Sequence, residues 1–152
     1  HTENAAAAME EAALLAEHGV GAEALVWVHS QNDALGTTQV ALAKKGCWIS
    51  MDGVNAKPDI IQHYTQAILR MKNEGLLHRV LISHDDGFAV EKSANGSVQF
   101  NSYQNGNDNL YNSIFTKLKP ALLEIGITEQ EFTGIVTSNP AQALQIKICK
   151  LT

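Results

Sequence analysis

The chain has 152 residues, a net charge of −5 and 45% apolar residues. This balance excludes a disordered chain, and the absence of a basic patch argues against a nucleic-acid binder. No run approaches the roughly 18 apolar residues of a membrane-spanning helix, and the length fits one domain with a sizeable core. Residues 3–18, rich in Ala, Leu and Glu, predict a helix stopped by Gly19. The apolar run 24–28 predicts a buried strand. Asn32 or Asp33 caps a second helix reaching about Lys45, with Gly46 as its stop. Residues 47–51 predict the second strand, with Cys47 in the core, and Pro58 and Asp59 open a third helix that runs to about Asn73. Residues 79–83 predict the third strand. The segment 86–107, rich in Gly, Asn and Ser, reads as a long loop, and 110–125 as a helix kinked at Pro120. Thr128-Glu129-Gln130-Glu131 has the form of a capping box, and a last helix is expected from near Pro140.

Three buried strands alternating with helices, at about 23 to 32 residues per unit, imply an α/β fold with a parallel sheet, either barrel or doubly wound. No glycine-rich phosphate motif follows any strand, so nucleotide binding loses its main support. Cys47 and Cys149 are too few for a disulfide framework and lack zinc-knuckle spacing. The chain begins at His1 rather than Met, which suggests a piece of something longer, and it does not fix the compartment. A cytoplasmic location is the working expectation.

The polar residues fall in a pattern. His29 follows the first strand run, Asp52 the second, and His84, Asp85 and Asp86 the third; His1 stands just before the first helix. In parallel α/β folds the C-terminal ends of the strands share one mouth, where chemistry is done. His1, His29, Asp52 and Asp85 would therefore converge from successive units. Imidazole and carboxylate groups together are a zinc-type ligand set. His18, His63 and His78 read as surface or packing residues, His84 as a neighbour supporting a ligand, and Trp27 and Trp48 as core.

The segments Val26-Trp27-Val28-His29-Ser30, Ile49-Ser50-Met51-Asp52-Gly53, Leu81-Ile82-Ser83-His84-Asp85 and Thr137-Ser138-Asn139-Pro140-Ala141 resemble, in this order, the C-terminal half of the phosphotriesterase family. His1-Thr2-Glu3 resembles that family's strand-five motif. The resemblance implies a (β/α)8 TIM barrel of the amidohydrolase superfamily, with residues 1–152 supplying about strands five to eight and the N-terminal half absent from this chain. It further implies two divalent metal ions, expected to be zinc. By this resemblance His1 and His29 are metal ligands, and Asp85 is both a metal ligand and the catalytic proton acceptor. The family's remaining ligands, a His-x-His pair on strand one and a bridging carboxylated Lys or Glu on strand four, precede His1.

Two departures speak against the organophosphate branch. Gly53 stands where some members carry His or Arg, and Asn32 stands where some continue a proton relay through Asp. The expected reaction is hydrolysis of a lactone or carboxylic ester, with phosphoester hydrolysis as the alternative. A third reading is a non-catalytic fragment or binding protein with an incomplete site. Asp52, Phe88 and Tyr103 are candidate substrate contacts; Phe88, Phe100 and Tyr103 could equally pack the loop down. The expected partners are a small-molecule substrate and the missing half of the barrel, without nucleic acid or membrane. A homodimer is kept open.

Overall fold

The computed structural model describes residues 1–2, 4–85, 88–102 and 111–146, with backbone only at 88–91 and 100–102. Helix α1 (Ala5–Glu17) starts at Asn4, whose side chain accepts the Ala7 N–H at 2.8 Å. Strands β1 (Val26–Trp27), β2 (Trp48–Met51) and β3 (Val80–Ile82) form a parallel sheet in the order β1-β2-β3. In its register Trp27 lies opposite Ile49, Ile49 opposite Val80, and Met51 opposite Ile82. Strand side chains alternate between faces. Trp27, Ile49, Met51 and Val80 are fully buried in the core with Leu42, Ile68 and Met71 from the helices. Each such side chain contributes roughly 1.5–3 kcal/mol of burial. The alternate residues Val26, Ser50, Leu81 and Ser83 line a cleft of about 720 Å³ instead, together with Ile114 and Ile135.

Between the strands lie α2 (Thr37–Lys45) and α3 (Pro58–Asn73). Of the two expected caps for α2, Asp33 is the one that acts: its Oδ2 accepts from the Thr38 and Gln39 N–H groups at 2.8 and 3.2 Å. The helix itself begins at Thr37, later than the sequence suggests, because residues 30–32 form a separate 3₁₀ turn after β1. The first strand is correspondingly shorter than the apolar run, since Ala22–Ala24 already forms a 3₁₀ turn.

One sequence expectation needs correction. The segment read as a loop contains an antiparallel hairpin, β4 (Phe88–Lys92) with β5 (Val98–Ser102). Asn95-Gly96 forms its turn: Asn95 Oδ1 accepts the Ser97 N–H at 3.0 Å, and Gly96 takes a left-handed φ of 83°. Asn-Gly is a strong hairpin signal because such turns require positive φ. The remainder of that segment, 86–87 and 103–107, lies outside the described residues.

The capping box forms in full and opens a short helix, and the last helix begins at Asn139, next to Pro140 as expected. Thr128 accepts the Glu131 N–H and Glu131 accepts the Thr128 N–H, opening α5 (Glu129–Thr133). A π-helical turn, Gly134–Ser138, then carries the chain into α6 (Asn139–Ala143). Pro140 has no N–H to donate, and the Asn139 N–H reaches back five residues to the Gly134 carbonyl. The kink expected at Pro120 takes the same form: a π-helical turn, Ile114–Leu118, leads into α4 (Lys119–Glu124). Asn139 also donates to the carbonyls of Leu77 and Val80 at 2.8 and 2.7 Å, which ties this last helical stretch to the start of β3.

The capping box supplies a stability test. Thr128→Ala removes the hydroxyl cap and is expected to cost about 1 kcal/mol in denaturant unfolding at pH 7. An unchanged unfolding midpoint would contradict it. The Glu131 carboxyl is held below its usual range by Lys72, 2.7 Å away, and then by the Thr128 N–H. A depressed carboxylate stabilises at neutral pH, and this contribution is lost as pH falls through the folded-state pKa.

Candidate metal centre

The site forms at the C-terminal ends of the three parallel strands. Thr2 lies beside the end of β1: its N–H donates to the Val28 carbonyl at 3.4 Å, and its own carbonyl accepts the Trp27 indole N–H at 2.8 Å. Trp27 is fully buried, so this bond anchors the first residues of the chain to the core. His1 thereby meets His29. Their Nε2 atoms are 2.7 Å apart and the rings stand edge to face, with centroids 4.3 Å apart.

The backbone at these strand ends is unusual. Only three non-glycine residues among those described have positive φ: His29 at 64°, Asp85 at 45° and Tyr111 at 58°. Two of them are the candidate site residues that follow β1 and β3. A non-glycine residue in this region costs on the order of 1 kcal/mol and persists where its surroundings over-determine it. Gly53, after β2, is also left-handed, at φ 85°.

Asp52 supplies the over-determination at His29. Its Oδ2 accepts the His29 N–H at 2.9 Å, and its Oδ1 accepts the Ser50 and Ser83 hydroxyls at 2.9 and 2.8 Å. Its own N–H donates to Gln31 Oε1 at 3.0 Å, and its carbonyl accepts the Tyr64 hydroxyl. One buried carboxylate thus joins the ends of β1, β2 and β3. Burial, followed by the charges of Asp52 and Asp85, pushes the Tyr64 phenol above its ordinary pKa, so Tyr64 stays a neutral donor.

The turn after β1 is fixed from further sides. Ser30 Oγ donates to the Ser50 carbonyl at 2.7 Å, Gln39 Nε2 to the Ser30 carbonyl at 2.7 Å, and His63 Nε2 to the Gln31 carbonyl at 3.1 Å.

A sequence profile of the phosphotriesterase family matches residues 1–144. The chain belongs to the phosphotriesterase family. Similar solved structures include the phosphotriesterase of Mycobacterium tuberculosis, at 19% identity and TM-score 0.68, where 90% of this chain aligns with 41% of that one. The phosphotriesterase homology protein of Escherichia coli, complexed with phosphate in its active site, matches at 20% and 0.68, over 88% of this chain and 43% of that one. A variant of the organophosphorus hydrolase of Deinococcus radiodurans matches at 19% and 0.68, over 91% and 43%. The chain spans about two-fifths of these chains. A comparison with curated proteins found no match. The likeness is one of fold, and it makes the parallel sheet and its helices part of a (β/α)8 barrel, as the sequence pattern and resemblance suggest.

Within this phosphotriesterase-family segment, the structure brings His1 and His29 together and seats Asp52 behind His29. The His29 Nδ1 is 3.8 Å from Asp52 Oδ2, too far for a hydrogen bond. Asp85 stands exposed after β3 and lines the cleft. Among the described residues no three His, Cys, Asp or Glu side chains converge on one point. The donors nevertheless suit a metal. Two imidazole nitrogens stand 2.7 Å from each other. A tetrahedral zinc with bonds of about 2.05 Å would hold them about 3.3 Å apart. The rings need separate by only about 0.6 Å to admit it.

Of the other candidates, the side chain of Phe88 and the whole of Tyr103 lie outside the described residues. His84 is buried and its Nε2 accepts the Ile114 N–H at 3.1 Å, so it holds the start of a helical turn. Sequence reasoning passed over Ser30, Ser50 and Ser83. The available signal was a serine in or beside each otherwise apolar strand run.

No helix among the described residues is long and apolar enough to cross a membrane.

Proposed function

We propose that the whole protein of which this chain supplies the C-terminal strands is a metal-dependent hydrolase of lactones or carboxylic esters. The observation that carries this reading is the pair of facing imidazoles, His1 at the start of the chain and His29 just after β1. Imidazole nitrogens are the commonest ligands of zinc-like ions. In this reading His1 and His29 hold one ion and Asp85 contributes to a second, alongside ligands from strands outside this chain. A bound ion pair supplies a water of lowered pKa near neutral pH.

The chain's own residues then do the following. The Asp85 carboxylate accepts the proton of the attacking water as the carbonyl carbon becomes tetrahedral, and returns it to the departing alkoxide. Its backbone just beyond β3 takes a left-handed φ of 45°. The cleft beside it, lined by Leu81, Ile114 and Ile135, suits an uncharged substrate.

Phosphoester hydrolysis is the second reading, favoured by the phosphate in the active site of the Escherichia coli homology protein.

The test is a hydrolysis panel on the full-length protein, with lactones, carboxylic esters and phosphotriesters, before and after chelation. The expected result is lactone or ester turnover that is lost on chelation and restored by zinc. Faster turnover of phosphotriesters would reverse the order of the two readings. A protein without bound metal and without hydrolysis would overturn both.

A further inference from the structure

We propose that Asp52 is the positioning residue of this site: it holds His29 in its left-handed turn, so that the imidazole meets His1, and takes no part in substrate binding. This rests on the metal-centre reading above and assigns a role to a residue that sequence pattern alone offers as a substrate contact.

The polar atoms of Asp52 have partners within the chain. One carboxylate oxygen accepts from the His29 amide and the other from two serine hydroxyls. The backbone N–H and carbonyl are bonded to Gln31 and Tyr64. The residue is only 5% exposed, which leaves a substrate little to touch.

What Asp52 determines is direction. The His29 backbone turns sharply at φ 64°, and its N–H donates to Asp52 just beyond the neighbouring strand β2. Asp52 grips the turn on both sides of His29: its carboxylate holds the peptide N–H that enters the residue, and its own N–H holds the Gln31 side chain two residues on. The two serines fix the carboxylate in turn: Ser50 comes from β2 and Ser83 lies just beyond β3, so it is braced by both strands. Ser83 also precedes His84 and Asp85, and the same clip fixes where the chain leaves β3. His63 adds a brace from α3 through the Gln31 carbonyl. Residues that orient a metal ligand typically govern metal affinity by 10- to 100-fold.

The experiment is zinc titration of the full-length protein and its Asp52 variants, with KM measured at saturating zinc. Asp52→Asn keeps one accepting oxygen of two and is expected to weaken zinc binding about tenfold; Asp52→Ala removes both and approaches a hundredfold. KM at saturating zinc should stay within about twofold in Asp52→Asn, because the residue does not touch substrate. Wild-type zinc affinity in Asp52→Asn overturns the proposal. So does a tenfold rise in KM with unchanged zinc affinity, which would make Asp52 a substrate contact. Should Asp52→Ala fail to fold, the isosteric Asn variant decides the matter alone. Wild-type protein that binds no zinc would overturn the metal-centre reading and this inference together; normal wild-type binding matched by Asp52→Asn overturns this inference only.

Discussion

Asp85→Asn in the full-length protein is expected to lower kcat by about a thousandfold, within the range that general acid–base catalysis supplies. The substitution suits this backbone. Asp85 sits at φ 45°, and Asn is, with Asp, among the few non-glycine residues that accept left-handed conformations. Volume and backbone preference are therefore kept, and the ability to take a proton is lost. Thermal midpoint and KM should move little. A variant whose kcat stays within tenfold of wild type would remove Asp85 from proton transfer. A variant that unfolds would instead mean that the carboxylate holds the end of β3 in place.

The second large effect is expected at His29. Elemental analysis of full-length His29→Gly should show about one divalent ion fewer per chain, because one of the two facing imidazoles is gone. Backbone energetics make glycine more informative than alanine here. At φ 64° an alanine keeps the left-handed strain, whereas glycine releases it. The metal-free Gly variant should therefore be about 1 kcal/mol more stable than the metal-free Ala variant. Unchanged metal content would sink the assignment of His29 as a ligand. Equal stability of the two variants would show that the turn carries no strain.

Local signals carried far in this chain, and contacts between distant segments did not. Helix α3 runs from Pro58 to Asn73 as its proline start and amphipathic pattern suggest. The capping box at Thr128 and Glu131 forms as its four-residue spacing implies. These features are local: their partners lie within a turn. The hairpin was missed because Gly, Asn and Ser were weighed as a composition, while the single Asn95-Gly96 dipeptide between two alternating runs carried the turn. The π-helical turns before Pro120 and Pro140 were not readable, since a proline says only that an ordinary hydrogen bond is missing and not how the chain makes it good.

At the site, strand-end periodicity selected the positions His1, His29, Asp52 and Asp85. It could not tell what each one touches. The meeting of His1 with His29 depends on the Trp27–Thr2 bond, and the clip at Asp52 depends on donors drawn from three strands far apart in sequence. Left-handed backbone at His29 and Asp85 leaves no compositional trace, because neither residue is the glycine that would announce it.

The matching turns after β1, β2 and β3 bear on how such a site can be rebuilt. Two of the three strand ends present a candidate site side chain from a left-handed residue, and the middle one presents glycine. A side chain grown at Gly53 would find the Tyr64 hydroxyl as its nearest neighbour, 3.5 Å from the new Cβ, an ordinary contact distance. Space is therefore not the obstacle to filling that position; conformation is, and His, Asn and Asp tolerate it best among the non-glycine residues. A single codon change at Gly53 could add a third polar group to the mouth of the barrel without redesigning the scaffold. For directed evolution toward new substrates, this is where a small library restricted to those three residues would be spent best.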